Sequence, residues 1–346
     1  MKKLAVIIIL LIGLVCYLNF QHQTNEHLIS FAGQTMGTTY HIKVLADKNT
    51  AIDNESLKNE IDQRLTQIDH KMSTYKDGSE LSRFNQFTPQ QWMLISPELM
   101  CVVNCGQKLS ATTNGAFDIT IGNLVNLWGF GPTINSTVIP STETINQLQQ
   151  NIGYNKLKLQ QSPPALFKEN NSLYVDLSAI AKGYAVDAIA ETIESNHINN
   201  FIVEIGGEII TRGHKTQELP WVVGVETPVV NERIIEKKLH LNGVAMATSG
   251  DYRNYFEQDG IRYSHTIDPR TGCPIKHQLA SVTVIAENCM LADGLATAFM
   301  VMGPVRALAY AEKNNIAIFM LIKHGIGFRE TNSPAFNKYL QLQTTN

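Results

Sequence analysis

The stretch LASVTVIAENCMLADGLATAFMVMG, residues 279–303, joins a run of β-branched and apolar residues to a helical segment. Another strand-like run, IAIFMLI at residues 316–322, follows the helix. Amphipathic or apolar helices that lie between strands pack on the sheet those strands form. This stretch therefore predicts a sheet that is covered by at least one helix.

The second half of the chain supplies further strands. The runs with strand composition are FIVEI (201–205), WVVGVE (221–226), KKLHL (237–241), VAMAT (244–248) and IRYSHTI (261–267). Asn242-Gly243 and Asp259-Gly260 are expected to form hairpin turns, because these residue types accept positive φ angles. Since hairpins join antiparallel strands, we predict an α+β fold with antiparallel-rich sheets packed with helices.

Helices are indicated mainly in the first half. Apolar residues recur at helical spacing at Leu57, Ile61, Leu65, Ile68 and Met72. Ser96 as N-cap, followed by Pro97, predicts a helix that stops near Gly115, and Ser141 begins another. A further helix is expected after Asp176.

Composition and charge narrow the class of protein. The chain has 346 residues, 44% of them hydrophobic and 17% charged, and a formal net charge of −3. These values are ordinary for a globular protein. Because the sequence contains no basic cluster, we expect no binding to nucleic acid.

The N-terminus has the pattern of a targeting segment. Met1-Lys2-Lys3 precedes an apolar run over residues 4–18, so we expect a signal peptide, lipoprotein signal or anchor over 1–20, a linker over 21–29 and one domain over 30–346. Cys16 stands where a lipoprotein signal would be cut and acylated, but Val15 stands where a small residue is usual. An acylated, an uncleaved and a differently cleaved signal all stay open.

Four other cysteines lie in the expected domain, namely Cys101, Cys105, Cys273 and Cys289. They lack CxxC spacing and the density of a disulfide scaffold. We predict buried free thiols, with a metal pair or bridge between Cys101 and Cys105 as the alternative.

Asp293 and Thr297 are four residues apart within the stretch quoted first. Side chains at this spacing lie one above the other on a helix, about 5–6 Å apart at Cβ, so both can reach one small cation. Oxygen ligands favour Mg²⁺ or Ca²⁺ over zinc. Taken by itself, however, the pattern favours an Asp that caps its own helix in the first turn.

Three more segments carry candidate chemistry. VDLSAIAKGYAVD (175–187) is compatible with a strand-to-helix turn at which Lys182 could reach a phosphate, but taken by itself the pattern favours Asp176 as a helix cap. GAFDITIGNLVNLWGFGP (115–132) combines glycines and aromatics, as in a loop against a flat ligand or in an aromatic core. YSHTIDPRTGCPI (263–275) contains His265 and Asp268, which can carry protons.

Common nucleotide and hydrolase motifs do not occur in the sequence. There is no Walker or GxGxxG spacing and no GxSxG elbow. The usual nucleotide-binding folds and the serine hydrolases are therefore not expected.

The order of several motifs resembles one family. These are QTMGTTYHI (34–42), MSTYKDGSELSRFN (72–85), GAFDITIGNLVNLWGFGP, VDLSAIAKGYAVD, IVEIGGEI (202–209), TSGDYRNYFEQDGIRYSHTIDPRTGCPI (248–275) and ADGLATAFMVMG (292–303). Together they resemble the ApbE family, the FAD:protein FMN transferases, over about residues 30–340.

This resemblance implies a Mg²⁺-dependent transferase with a T-fold-like, two-lobed architecture. Such an enzyme cleaves FAD and attaches FMN through a phosphoester to a Thr or Ser of a target protein, releasing AMP. The implied partners are flavin-carrying subunits of membrane redox complexes, such as the sodium-pumping NADH:quinone reductase. The implied location is the periplasmic face of the bacterial inner membrane, to which the N-terminus would attach the chain.

The resemblance also implies roles for individual residues. FAD would be bound by Met36, Tyr75, Ala116, Phe117, Asp118, Asp176, Lys182 and His265. Ala179, Asp293 and Thr297 would hold the metal, and His265 or Asp268 would accept the proton of the attacking hydroxyl.

Two positions depart from the pattern of some family members. Ala179 offers only its main-chain carbonyl where some have Ser or Thr, and Ala296 stands where some have a second acid. Because Mg²⁺ sites share ligands with phosphates, we expect tight Mg²⁺ binding only when FAD is present. Two alternatives stay open, a FAD pyrophosphatase that uses water as acceptor and a non-catalytic FAD-binding lipoprotein.

Overall fold

A computed structural model describes residues 26–47, 52–132, 138–216, 219–228, 234–252 and 254–340. The predicted signal segment over 1–20 and Cys16 lie outside the described residues, so these N-terminal assignments stay predictions. Within the described ranges, the helices are all too short or too polar to cross a membrane.

The chain is built around one large antiparallel sheet. Its eight strands, in spatial order, are β1 (Glu26–Thr35), β2 (Thr38–Asp47), β6 (Phe201–Ile205), β7 (Glu208–Arg212), β11 (Ala245–Gly250), β16 (Leu279–Ala286), β17 (Ala317–His324) and β18 (Gly327–Asn332). Every neighbouring pair is antiparallel. The predicted α+β class with antiparallel-rich sheets is confirmed.

Smaller sheets complete the strand content. Two have three strands, β3 (Trp92–Leu94) with β5 (Pro164–Lys168) and β4 (Leu157–Gln161), and β10 (Ile235–Leu241) with β9 (Leu219–Glu226) and β8 (His214–Thr216). Two are hairpins, β12 (Tyr255–Gln258) with β13 (Ile261–Ser264), and β14 (Ile267–Asp268) with β15 (Cys273–Pro274).

Two of the helices begin at N-caps that the sequence predicts. They are α1 (Asn54–Met72), α2 (Glu80–Gln86), α3 (Pro97–Thr112), α4 (Gly122–Leu127), α5 (Thr142–Gln149), α6 (Ala181–Ser195), α7 (Cys289–Met302), α8 (Pro304–Lys313) and α9 (Asn337–Leu340). The hydroxyls of Ser96 and Ser141 accept hydrogen bonds from the main chain of α3 and α5. Both predicted N-caps are confirmed.

Strand β17 shows that the large sheet is buried on both faces. Ile318 and Met320 join the main apolar core beneath the helices, whereas Phe319 and Leu321 point the other way into a second cluster shared with β9 and β10. A strand covered on both faces must be apolar at every position. This burial explains the unbroken apolar run that the sequence shows here.

Side-chain hydrogen bonds link helices α6 and α7 at the first turn of each helix. Asp187 of α6 accepts hydrogen bonds from the main-chain N–H groups of Cys289 (2.7 Å) and Met290 (2.8 Å), the first two residues of α7. In return, Oδ2 of Asp293 in α7 accepts one from Gly183 N (3.0 Å), at the third residue of α6. Each helix thus supplies a carboxylate that accepts hydrogen bonds from N–H groups in the first turn of the other helix. These N–H groups have no hydrogen-bond partner within their own helix.

Three local interpretations made from the sequence are wrong. Asn242-Gly243 is not a hairpin turn, because it leads from β10 in a small sheet to β11 in the large one. Asp293 does not cap its own helix, since Asn288 is the N-cap of α7 and Asp293 is the fifth helical residue. Asp176 does not cap α6, whose N-cap position is Ile180.

The turn at Asp259-Gly260 is as predicted, and the prediction for the four cysteines is correct in part. Asp259-Gly260 has two positive φ angles and joins β12 to β13, as predicted. The four cysteines of the domain are free thiols, as predicted, but only Cys289 is fully buried and Cys101 is exposed.

The close approach of α6 and α7 requires glycine at position 183. A Cβ there would lie 2.4 Å from the carbonyl oxygen of Cys289 and 2.7 Å from Cα of Met290. Although alanine favours helix, we expect Gly183→Ala to lower the free energy of unfolding by about 1–3 kcal/mol, because main-chain atoms must shift. Urea unfolding measures this.

Gly78→Ala is the matched control, since a Cβ there meets no atom within 4 Å and its φ is not positive. It should change stability by less than ~0.5 kcal/mol. Equal stability of the two variants would contradict the steric argument.

Candidate active site

A cavity of about 400 Å³ opens beside the N-termini of α6 and α7. That volume lies within the usual range for a small-molecule site, about 300–1,000 Å³. Ten of the residues singled out from the sequence line it, namely Tyr75, Ala116, Phe117, Asp118, Asp176, Ala179, Lys182, His265, Asp293 and Thr297. Segments far apart in sequence therefore form one site.

Asp293 and Thr297 lie one helical turn apart on α7 and both line the cavity. The Asp293 carboxylate is only 3% exposed, and its hydrogen bond from Gly183 fixes its direction. The hydroxyl of Ser249, from β11, lies 3.4 Å from the Thr297 hydroxyl. This face of the cavity thus presents a carboxylate and two hydroxyls.

Lys182 forms an ion pair with the buried Glu208. The ammonium lies 2.7 Å from Oε1 of Glu208, whose side chain is almost fully buried at the start of β7. Oε2 of Glu208 is buried and lacks a hydrogen-bond partner among the described residues. We call Lys182, Glu208 and Asp293 the cavity floor.

The charged groups of the cavity floor shift the pKa values of their neighbours. Burial disfavours the charged form of Lys182, but the carboxylates of Glu208 and Asp293 outweigh that effect and raise the pKa of its ammonium. Burial, together with the negative charge of Asp293, raises the pKa of the Glu208 carboxyl despite the favourable pairing with Lys182. The floor therefore carries a protonated lysine between two acids.

Asp118 organises one wall of the cavity. Its Oδ1 accepts hydrogen bonds from the main-chain N–H (2.8 Å) and hydroxyl (2.7 Å) of Thr120, and its Oδ2 accepts one from Tyr154 N (3.0 Å). Burial raises the pKa of this carboxyl, although the three hydrogen bonds oppose the rise. These contacts hold Ala116 and Phe117 against the cavity.

The segment before α6 also faces the cavity. Asp176 accepts a hydrogen bond from Ser178 N (2.8 Å), which folds the chain into a tight turn. Ser178 and Ala179 line the cavity from this turn, so the Ala179 main chain lies at the same site as Asp293. Burial raises the pKa of the Asp176 carboxyl.

His265 also lines the cavity and has a defined tautomer. Its Nδ1 is 2.9 Å from the main-chain oxygen of Asn254. Because a carbonyl only accepts, Nδ1 carries the hydrogen and Nε2 of the neutral ring has a free lone pair. Burial lowers the pKa of this imidazole, so it is neutral at pH 7.

Aromatic side chains line the side near His265. Phe130 lies edge-on to His265 with ring centroids 6.3 Å apart, and Phe256, Tyr263 and Trp128 extend the cluster behind it. The Tyr75 ring is 67% exposed at the mouth, and its hydroxyl donates to the Phe130 carbonyl oxygen at 3.3 Å. Flat apolar surfaces at a cavity mouth suit a planar ring system.

The structure places two predicted site residues away from the lining. Met36 lies in the β1–β2 turn with a positive φ and packs against the main core. Asp268 forms a bidentate ion pair with Arg270, at 2.8 and 2.7 Å. That pairing occupies both carboxylate oxygens, so of the two candidate bases His265 is the one with a free acceptor facing the cavity.

Glu208 and Ser249 are site residues that the sequence interpretation missed. Ser249 has no local signal, because its place in the site depends on its contact with Thr297 of another element. Glu208 has a usable signal, because it precedes the buried Ile210 by two positions in a strand and so shares its inward face. An acid on the inward face of a strand is a candidate functional residue.

Three residues of the cavity lining have donor atoms that fit a magnesium ion. Asp293, Thr297 and Ala179 all line one cavity, and they offer a carboxylate, a hydroxyl and a main-chain carbonyl as oxygen donors. Over the described ranges, no three His, Cys, Asp or Glu side chains gather into a metal-binding cluster. Such a donor set suits Mg²⁺, which is usually bound through one or two carboxylates together with phosphates and water.

Comparisons with known proteins agree on one family. The model of the ApbE family matches residues 36–320. The FAD:protein FMN transferase of Vibrio cholerae is 46% identical over 312 residues, covering 90% of this chain and 92% of that protein.

Two solved structures have the same fold. The flavin transferase ApbE from Vibrio cholerae superimposes with a TM-score of 0.84 at 44% identity, covering 91% of this chain and 100% of that one. The apo form of the Pseudomonas stutzeri flavinyl transferase ApbE gives a TM-score of 0.84 at 39% identity, covering 91% and 97%.

Asp118 should contribute to stability as well as to the site. Asp118→Ala leaves three hydrogen-bond donors of the wall without their acceptor, so we expect the free energy of unfolding to fall by about 1–3 kcal/mol. Asp77→Ala, at an exposed position, serves as the control. Urea unfolding of both variants tests this, and equal stabilities would show that the Asp118 hydrogen bonds are not needed.

Proposed function

The chain belongs to the ApbE family, and from that membership together with the cavity we propose that it is a FAD:protein FMN transferase. It cleaves FAD and transfers the FMN half to a Thr or Ser hydroxyl of a target protein. The observation that carries the proposal is that one cavity joins an oxygen donor set, a lysine paired to a buried acid and a histidine with a free Nε2.

The reaction balances as a single displacement at phosphorus. The acceptor oxygen forms a bond to the FMN phosphorus, and the bond between that phosphorus and the bridging oxygen of the pyrophosphate breaks. AMP leaves with the electron pair of the broken bond. The hydroxyl proton passes to Nε2 of His265, whose neutral state at pH 7 suits a general base.

We propose that Asp293, Thr297 and the Ala179 carbonyl hold Mg²⁺ when FAD is bound. The ion would neutralise charge on the pyrophosphate, which is the main requirement of phosphoryl transfer. Lys182 lies at the same floor and supplies a fixed positive charge to the phosphates. Ala296 is buried in α7 and offers no carboxylate, so tight binding of Mg²⁺ should depend on FAD.

We also propose acceptor proteins and a cellular location for this transferase. We propose flavin-carrying subunits of membrane redox complexes, such as the sodium-pumping NADH:quinone reductase, as acceptors. The support is the family resemblance. The N-terminal pattern of residues 1–20 supports attachment to the periplasmic face of the inner membrane, through a lipid on Cys16 or a signal anchor.

Transfer is tested by mass spectrometry of the acceptor. The mature protein is incubated with FAD, Mg²⁺ and a candidate acceptor domain, and one Thr or Ser should gain the mass of FMN less water while AMP appears. Free FMN and AMP with an unmodified acceptor would instead indicate a FAD pyrophosphatase. Intact FAD would indicate a FAD-binding lipoprotein without chemistry.

The role of His265 is tested by its pH dependence. His265→Gln should lower the transfer rate by on the order of 10²–10⁴-fold. In the parent chain the rate should fall as pH drops through the His265 pKa, which burial places below its ordinary value of 6.5, because the protonated ring cannot accept a proton. The fall should be absent from the residual activity of the variant.

His41→Gln, at an exposed position, is the control and should leave the rate and its pH profile unchanged. If His265→Gln keeps the full rate while Asp293→Ala abolishes transfer, the base assignment is wrong and the metal assignment stands.

A further inference from the structure

Glu208 has no part in the reaction as described above, yet it is among the most unusual side chains of the cavity. It is an acid only 3% exposed, with one oxygen paired to Lys182 and the other buried without a partner within the described part of the chain. A buried charge that is only half satisfied is costly and therefore calls for an explanation.

The cavity floor has one basic and two acidic side chains. Its one ammonium faces two carboxylates, and both carboxylates interact with that ammonium. Among the described residues, the ion pair of Lys182 is made with Glu208, while Asp293 is held by the neutral N–H of Gly183. The negative charge at Asp293 is thus left available to a cation.

The β6–β7 turn fixes this arrangement. Gly206 and Gly207 both have positive φ angles, and a Cβ on Gly206 would lie 3.3 Å from Cδ of Lys182. The turn main chain therefore packs along the lysine stem. Glu208 follows Gly207 directly and forms the ion pair with the Lys182 ammonium.

We propose that Glu208 is a positioning residue that holds the ammonium of Lys182 away from Asp293, and so keeps the Asp293 carboxylate free for a divalent cation. The identity of that cation site rests on the proposed function. The role of Glu208 follows from the charges and contacts of the floor.

Two substitutions change cation affinity in opposite directions. Glu208→Gln keeps the shape of the side chain, but it removes one negative charge and lets Lys182 turn to Asp293, so both effects weaken binding of a cation. Lys182→Met removes the competing positive charge and leaves two carboxylates, so it strengthens binding in the absence of FAD. Glu208→Asp keeps the charge and should retain most of the parent affinity.

Titration with Mn²⁺ as the probe measures this without any turnover. The full-length chain without FAD is titrated, and free Mn²⁺ is followed by electron paramagnetic resonance. We expect the dissociation constant to rise by on the order of tenfold for Glu208→Gln and to fall by a similar factor for Lys182→Met. The Mn²⁺-induced rise in melting temperature should follow the same order.

Glu194→Gln is the matched control, because Glu194 pairs with Arg212 at the surface away from the cavity lining. It should bind Mn²⁺ as the parent does. A Glu208→Gln chain that binds Mn²⁺ as tightly as the parent, or a Lys182→Met chain that binds it no more tightly, overturns the proposal. If Glu208→Gln does not fold, Glu208→Ala is titrated in its place, and a parent-like Mn²⁺ affinity of that variant overturns the proposal.

Failure of this proposal is distinct from failure of the proposed function. Mn²⁺ affinity is measured without an acceptor protein and without FAD cleavage, whereas flavin transfer is read from the mass of the acceptor. Transfer activity with unchanged Mn²⁺ affinities would overturn the role of Glu208 alone. The expected order of affinities without any transfer would overturn the proposed function alone.

Discussion

The paired N-termini of α6 and α7 are the constraint on which the site depends. Each helix gives a carboxylate to the first turn of the other, through Asp187 in one direction and Asp293 in the other. Gly183 permits this approach because it has no Cβ. The same contact that fixes the helices also orients Asp293 toward the cavity, so the fold holds the principal candidate metal ligand in place before any ligand arrives.

Different parts of the fold supply the charged and the aromatic groups that line the cavity. Lys182, Glu208 and Asp293 come from helices and strand β7, while Phe130 and His265 come from loops. A pyrophosphate and a flat ring need these two environments at the same time. Under the proposed function, rigid elements carry the groups that face phosphate, and the shorter segments carry those that face the ring and the attacking hydroxyl.

Local patterns predicted much of the fold, and long-range contacts account for the errors. The run LASVTVIA became β16 with its predicted bounds, and the caps at Ser96 and Ser141 were correct, because periodicity and capping are local. Asn242-Gly243 has hairpin chemistry, but β11 pairs with β7 and β16 instead. The strand pattern marks Glu208 as an inward-facing acid, but it does not reveal the ion pair, because Lys182 lies on a different element.

The hydrogen bond between His265 and the main-chain oxygen of Asn254 has a consequence for how this site tolerates sequence change. Many catalytic histidines depend on an acidic side chain for their orientation, and a single substitution can remove it. Here the acceptor belongs to the backbone, which every amino acid provides. The side chain at position 254 can therefore vary while the tautomer of His265 is preserved, provided that the loop keeps its path.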